Sequence, residues 1–300
     1  MFFLLGPTAV GKSEIAVDVA LRTGAAIVGA DAFQVYAGVE LLTAAPDAET
    51  RAKVPHHLVG EIGIGEHFDA ARYREMALAR IREIEDRGRR ALIVGGTGLY
   101  ARALMHGLSD MPGSDETVRE QLAEMTLAEL QEKYAALDPA GMERIDRHNR
   151  RRLVRAIEVS LLAGKPFSSL RADWSGEPRA VSPAAGVVLD RDRDDLYARI
   201  DARVTRMFEH GAIEEVARAG EAGPTAAQAI GYGEIRAHLA GTVTLEQCMS
   251  AIARRTRRYA KRQLTWLRRE NTLTSINLTH QSHSEVINAI EQRMVEAGRV

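Results

Sequence analysis

The 300-residue sequence has little with which to staple, anchor or charge itself. Its one cysteine, Cys248, excludes an internal disulfide and fits a reducing compartment. The only apolar run at the start, Phe2-Phe3-Leu4-Leu5, is far too short to span a membrane. It also lacks the basic segment of a secretory signal, so a cytoplasmic protein without membrane attachment is expected. The formal net charge is −1, so any affinity for a polyanion must come from local clustering. No repeat or low-complexity tract stands out. There is no N-K-x-D sequence for reading guanine. The apolar run Ala91-Leu92-Ile93-Val94 ends in Gly95-Gly96-Thr97, without the Asp that holds Mg²⁺ in most triphosphatases. The ordinary machinery of a nucleoside triphosphatase is missing.

What is present begins at Gly6. The stretch Gly6, Pro7, Thr8, Ala9, Val10, Gly11, Lys12, Ser13 is a complete G-x-x-x-x-G-K-[ST] phosphate loop. It lies between a strand-like apolar run and a segment, Glu14 to Arg22, whose Ile15, Ala16, Val19 and Ala20 share one helical face. Loop amides and the positive end of the helix face an anion there. Lys12 adds a mobile charge, and the Ser13 hydroxyl is a ligand for Mg²⁺. A polyphosphate is the expected ligand.

A second strand, Ala26–Ala30, leads to Asp31; a helix is expected from an Asp69 cap to Gly88, and a third strand over 91–94. Alternating strands and helices predict an α/β fold, a P-loop NTPase-like parallel sheet with helices on both faces. From Ser109 to about residue 183 the sequence turns helical and charged, which predicts an inserted all-helical domain (109–183) in a core of 1–108 and 184–300. Its far end is marked by Trp174-Ser175-Gly176-Glu177-Pro178. Strand character returns at 186–189 and again at 272–277, with helices at about 194–210 and 211–221. A long helix opens on the Thr244/Gln247 capping box, and a last one on Ser282 and Glu285.

The long helix carries Arg254, Arg255, Arg257, Arg258, Lys261, Arg262, Arg268 and Arg269 with no acid between Ala251 and Arg269. These cations project over about 160°, opposite an apolar arc of Cys248, Met249, Ile252, Tyr259, Trp266 and Leu267. A solvated amphipathic face ordinarily mixes signs, because Glu–Lys pairs one turn apart support the helix. A face of one sign repels itself unless a polyanion covers it, so nucleic acid is the favoured partner over a membrane surface.

Seven segments in order carry a resemblance to the tRNA dimethylallyltransferases, also called tRNA isopentenyltransferases. They are G-P-T-A-V-G-K-S at 6–13, D-A-F-Q-V-Y at 31–36, V-P-H-H-L at 54–58, G-G-T-G-L-Y at 95–100, R-L-V-R-A-I-E-V at 152–159, A-I-G-Y at 229–232 and K-R-Q-L-T-W-L-R at 261–268. The resemblance implies transfer of a dimethylallyl group from dimethylallyl diphosphate to N6 of the adenine just 3′ of the anticodon in tRNA, assisted by Mg²⁺. It implies Asp31 as the base for the N6 proton, with Thr97 fixing either Asp31 or the adenine. Arg203, rather than Arg199, is expected on the diphosphate. The alternative for both arginines is surface pairing with Asp195 and Asp201.

Contacts to the tRNA anticodon stem-loop are implied for Asp31, Ala32, Phe33, Gln34, Thr97 and Arg119. They are implied too for Arg151, Arg152, Leu153, Val154 and Arg155, for Gln228, Ala229, Ile230, Gly231, Tyr232 and Gly233, and for Lys261, Arg262, Gln263, Leu264, Thr265, Trp266, Leu267 and Arg268. The chain departs from the family pattern at Ala32, Ala45, Arg151 and Gly233, where Ser, Lys, Gln and Arg are usual. A monomer is expected. The other readings are an adenylate isopentenyltransferase, a small-molecule kinase and a non-catalytic RNA-binding protein. The basic helix and the insertion argue against the first, and the intact Lys12, Ser13 and Asp31 against the last.

Overall fold

The computed structural model describes residues 1–108, 111–174 and 185–298. The 109–110 junction and the Ser175–Pro178 stretch therefore lie outside the described residues. The chain divides into two compact units, Met1–Met105 with Ser182–Val300, and His106–Val181.

In the first unit the fully buried strand β1 (Phe2–Leu5) feeds the phosphate loop and helix α1 (Lys12–Thr23). Gly24 ends α1 in the left-handed region, at φ 69°. Strand β2 (Ala26–Ala30) follows, then two helices, Glu40–Thr43 and Ala48–Lys53, and the two-residue strand β3 (His56–His57). Helix α2 (Ala70–Asp86) starts at Asp69, whose carboxylate accepts from the amides of Ala71 and Arg72. Strand β4 (Ala91–Gly95) leads into helix α3 (Gly98–His106).

The second unit is helical where described, with α4 (Glu116–Ala123), α5 (Leu127–Leu137) and α6 (Arg150–Ala163) as its longer elements. The first unit resumes with β5 (Gly186–Asp190), α7 (Arg193–Glu209), the short Ala212–Arg218 helix and α8 (Tyr232–Leu239). It closes with the 23-residue α9 (Leu245–Leu267), β6 (Thr274–Asn277) and α10 (His283–Glu296). The last strand is two residues shorter than the 272–277 run suggests, because Thr272 and Leu273 still belong to the turn after α9.

Six strands in the order β3-β2-β4-β1-β5-β6 form a parallel sheet. Parallel strands joined by helical crossovers bury both faces. Here Phe3, Leu5, Val28 and Ile93 enter one core, and Phe2, Leu4, Ile27 and Leu92 the other. The chain leaves β1, steps over β4 to β2, and only later returns to β4 and β5. A crevice opens at such a switch point, outside the carboxyl ends of the strands. Leu5 pairs with Gly95 and Val188, and Ala30 with Gly95, so the loop at Gly6, Asp31, Gly96 and Arg191 emerge side by side.

The second unit has its own core of Leu122, Leu130, Tyr134, Leu153, Ala156 and Ile157. Two carboxylates, Asp138 and Glu158, are buried beside it. Glu158 is 0% exposed and is held by Arg119 Nε at 2.7 Å, Arg155 Nη1 at 2.7 Å and the Asp115 amide at 2.9 Å. Burial alone pushes this carboxyl up, but the two guanidiniums and the amide outweigh it and hold it below the usual range. A carboxyl depressed by folding contributes stability above its unfolded pKa and loses it as pH falls through the folded value. Replacing Arg119 and Arg155 together with Met strands the charge and should cost about 3–5 kcal/mol. Glu158 then gains a proton on folding, so urea melts of the double variant should show stability rising as pH is lowered toward 5. The parent protein should show no such rise.

Candidate active site

The geometry of the loop follows from where its carbonyls go. Lys12 Nζ donates to Pro7 O at 2.8 Å, Arg199 Nε to Ala9 O at 2.9 Å and Arg191 Nε to Val10 O at 2.8 Å. In a planar trans peptide the C=O and the next N–H point in opposite directions. Fixing the Val10 carbonyl on Arg191 therefore turns the Gly11 amide to the other side. It joins the first-turn amides of α1, which have no acceptor within the helix. Ala9 takes a left-handed φ of 65°, and Gly11 one of 108°. Strain at the alanine is the cost of the curl that gathers these amides. Gly6, Pro7 and Val10 are buried, so they contribute backbone only.

Both arginines considered for the diphosphate reach the loop, and neither forms the surface pair set against that role. Arg203 Nη1 donates to Thr8 Oγ1 at 2.6 Å and Nη2 to Thr43 O at 3.1 Å. Asp195 pairs instead with Arg191, and Asp201 with Arg257. Arg191 is a loop contact that sequence reasoning missed. The signal available was its position directly after β5, at the carboxyl edge of the sheet. Burial lowers the pKa of Lys12 to about 8, with Asp31 opposing and Arg203 reinforcing the shift. A cleft of about 910 Å³ is lined by Lys12, Ser13, Asp31, Arg199, Arg203 and Arg206, among others. A second, narrower pocket shares Thr8, Asp31, Thr43, Arg203 and Met207 with it and is otherwise mostly apolar, with Leu42, Val204, Ile230 and Ile252.

Asp31 closes the opposite side. Its Oδ1 accepts from the amides of Phe33 at 3.0 Å and Gln34 at 3.4 Å, which turns the chain after β2. This turn-forming role occupies Oδ1. Thr97 Oγ1 accepts from the Ala32 amide at 3.0 Å and lies 3.5 Å from Tyr259 Oη. Of the two partners expected for Thr97, Asp31 and the adenine, Asp31 is not bonded directly, because the hydroxyl holds the amide one residue further along the turn. Gln34 is occupied too, donating from Nε2 to Ala44 O at 2.8 Å. Tyr259, with its hydroxyl at this junction, was expected only as an apolar residue of the long helix.

Several side chains expected at an RNA surface belong to packing instead. Leu153, Ala229, Gly231, Gln263 and Leu267 are buried. The Tyr232 hydroxyl is spent on Gly220 O at 2.6 Å and the Ala222 amide at 3.1 Å. Ile230 lines the apolar pocket with Phe33, and Trp266 is half-buried. Val154 and Leu264 are half-buried, whereas Gln228 and Thr265 are exposed. Arg119 and Arg155 serve Glu158, whereas Arg151 and Arg152 are exposed. Gly233 is exposed, and a side chain there would meet open space.

The basic face of α9 is less uniform than its sequence suggests. Arg255 pairs with Glu234 of α8 and Arg257 with Asp201 of α7. Arg254, Arg258, Lys261, Arg262, Arg268 and Arg269 are exposed, and Arg262 also lies 5.7 Å over the Tyr259 ring. No helix among the described residues is long and apolar enough to cross a membrane.

The protonated form of Lys12 is the one that attracts an anion, so affinity for inorganic diphosphate should fall as pH rises through about 8. The decline should approach tenfold per pH unit. Calorimetric titration between pH 7 and 9.5 reads it, and Lys12→Arg should abolish the decline.

The chain is similar to proteins whose names agree with this geometry. A tRNA dimethylallyltransferase of Geobacter sulfurreducens is 44% identical over 280 residues, covering 90% of this chain and 89% of the relative. One of Akkermansia muciniphila is 39% identical and covers 98% of each. The crystal structure of the tRNA isopentenylpyrophosphate transferase of Bacillus halodurans superposes with a TM-score of 0.71 at 33% identity, covering 99% of this chain and 97% of that one. A eukaryotic dimethylallyltransferase, solved acting on tRNA, shares the fold with a TM-score of 0.81 at 23% identity, covering 99% of this chain and 79% of its own. With the IPP transferase model matching residues 34–270 as well, the chain belongs to the IPP transferase family.

Proposed function

We propose that this enzyme transfers a dimethylallyl group from dimethylallyl diphosphate to N6 of the adenine immediately 3′ of the anticodon in tRNA, releasing diphosphate. The observation that carries the reading is one mostly apolar pocket lined by Thr8 of the phosphate loop, Arg203 and Asp31 together. An aromatic exocyclic amine is a weak nucleophile, its lone pair being delocalised into the ring. N6 attacks C1 of the donor as the C1–O bond breaks, the bonding pair leaves with the diphosphate, and the N6 proton passes to Asp31. Lys12, Arg203 and the loop amides meet the charge that develops on the leaving group, and the apolar lining suits a five-carbon chain. Leu42, Met207 and Ile252 exclude water, which protects the allylic centre from hydrolysis.

The residues fit Mg²⁺ as a partly solvated ion. Ser13 lines the cleft at the first turn of α1, and no cage of three His, Cys, Asp or Glu exists among the described residues. Ser13 Oγ would hold the ion with oxygens of the diphosphate, and when bound it supplies further neutralisation of the leaving group. Exposed Arg258, Lys261 and Arg262 of α9, and Arg151 and Arg152 of the insertion, are proposed as contacts to tRNA phosphates. A free mononucleotide acceptor needs neither set.

Asp31→Ala should lower the single-turnover rate by about 10²–10⁴-fold and leave tRNA affinity nearly unchanged. A normal rate in the folded variant would place the base elsewhere and reduce Asp31 to its turn-forming role. Replacing Arg258, Lys261 and Arg262 with Gln should flatten the slope of log K against log salt by about two, from roughly 0.7 per contact to single-stranded RNA. Filter binding at several salt concentrations measures this, and binding should weaken alike for different tRNA sequences.

A further inference from the structure

A buried amide ties the two halves of the site together. Gln263 is 2% exposed and projects from α9 into the sheet's carboxyl edge. Its Oε1 accepts from the Thr8 amide at 2.8 Å, and its Nε2 donates to Gly96 O at 2.9 Å. A backbone N–H on one side and a carbonyl on the other leave one workable orientation of the amide. The Thr8 hydroxyl oxygen in turn accepts from Arg203 Nη1. Gly96 precedes Thr97, whose hydroxyl holds the Ala32 amide beside Asp31. The backbone has been shaped for the contact: a Cβ on Gly96 would lie 2.3 Å from Gln263 Nε2.

We propose that Gln263 is a positioning residue that sets the diphosphate side of the pocket (Thr8 and Arg203) in register with the acceptor side (Thr97 and Asp31), so that its role is in the transfer step and not in tRNA contact. The proposal rests on the prenyl-transfer reading above. In-line displacement needs the donor's C1 and the acceptor N6 aligned, and small misplacements of positioning groups are costly in rate. The titratable and charged groups lining the two pockets are Tyr259 on the same helix, Lys12 and Glu14 on α1, Asp31 after β2, Glu40, Asp47 and Arg51 beyond it, Arg199, Arg203 and Arg206 on α7, and His210 and Glu215 after α7.

The test compares Gln263→Glu and Gln263→Met in single-turnover transfer to tRNA from pH 5.5 to 9, beside the parent protein. A protonated Glu can accept from Thr8 and donate to Gly96 O, whereas its carboxylate places a charge against that carbonyl. Gln263→Glu should therefore approach the parent's rate at the acid end. Relative to the parent it should fall tenfold or more as pH rises. Gln263→Met, of similar volume but without either bond, should be slow by tenfold or more throughout. The donor KM and tRNA Kd should change less than threefold in both. A pH-independent ratio near one for Gln263→Glu, or a full rate for Gln263→Met, would overturn the proposal. So would a loss confined to tRNA affinity. A parent protein that transfers nothing to tRNA would instead sink the reading of the function.

Discussion

The site depends on one constraint: the carbonyls of the phosphate loop are taken by cations. Lys12, Arg199 and Arg191 each hold one, on Pro7, Ala9 and Val10. At Val10 the peptide plane does the rest, because the carbonyl held by Arg191 turns the following Gly11 amide the other way; the Thr8 and Val10 amides are already spent, on Gln263 Oε1 and Pro7 O. The same contacts bring positive groups together in a poorly hydrated place, where burial and mutual repulsion lower the pKa of both Lys12 and Arg199. Asp31, Asp195 and Glu14 are the acids that oppose this. Such a cluster is poised to gain from a dianion. The scaffold that forms the loop and the positive charge it offers to an anion are one arrangement.

Parts of this were legible in the sequence because they are contiguous. The phosphate loop is eight consecutive residues in a strand–loop–helix setting, and the order of strands and helices follows from local apolar runs. Asp31 and Thr97 could be named because the resemblance implies them, and each lies just past the carboxyl end of a strand in a parallel sheet. The insertion's character was legible too, as a long helical and charged stretch without strand signals.

What escaped depends on neighbours distant in sequence. Glu158 looks like any helix glutamate, and only the fold removes its water and supplies Arg119. Arg255 and Arg257 stand in a run without acids, yet their acids come from α8 and α7. Gln263 lies among Lys261, Arg262 and Arg268 and reads as one more polar surface residue. It is buried because Cys248, Ile252, Thr256, Ala260, Gln263 and Leu267 recur at three and four residues and share one face. Period, rather than polarity, marked that face, and an apolar projection alone passes over its two polar members.

Two glycine-rich and helical segments are matched to each other across the core. A Cβ on Gly96 would strike Gln263, and a Cβ on Gly98 would lie 2.6 Å from the Trp266 ring. Residues 263 and 266 are one turn apart on α9, so the G-G-T-G turn after β4 is the mould into which that turn of helix fits. The exposed Lys261 and Arg262 belong to the same turn. An unbroken helix of 23 residues is stiff on this scale, since every internal carbonyl is bonded along the axis. Fixing its buried face against the loop and the glycine turn therefore also fixes the direction of its cations. The direction of the exposed cations and the placement of Thr8 and Thr97 follow from the same few contacts of Gln263 and Trp266.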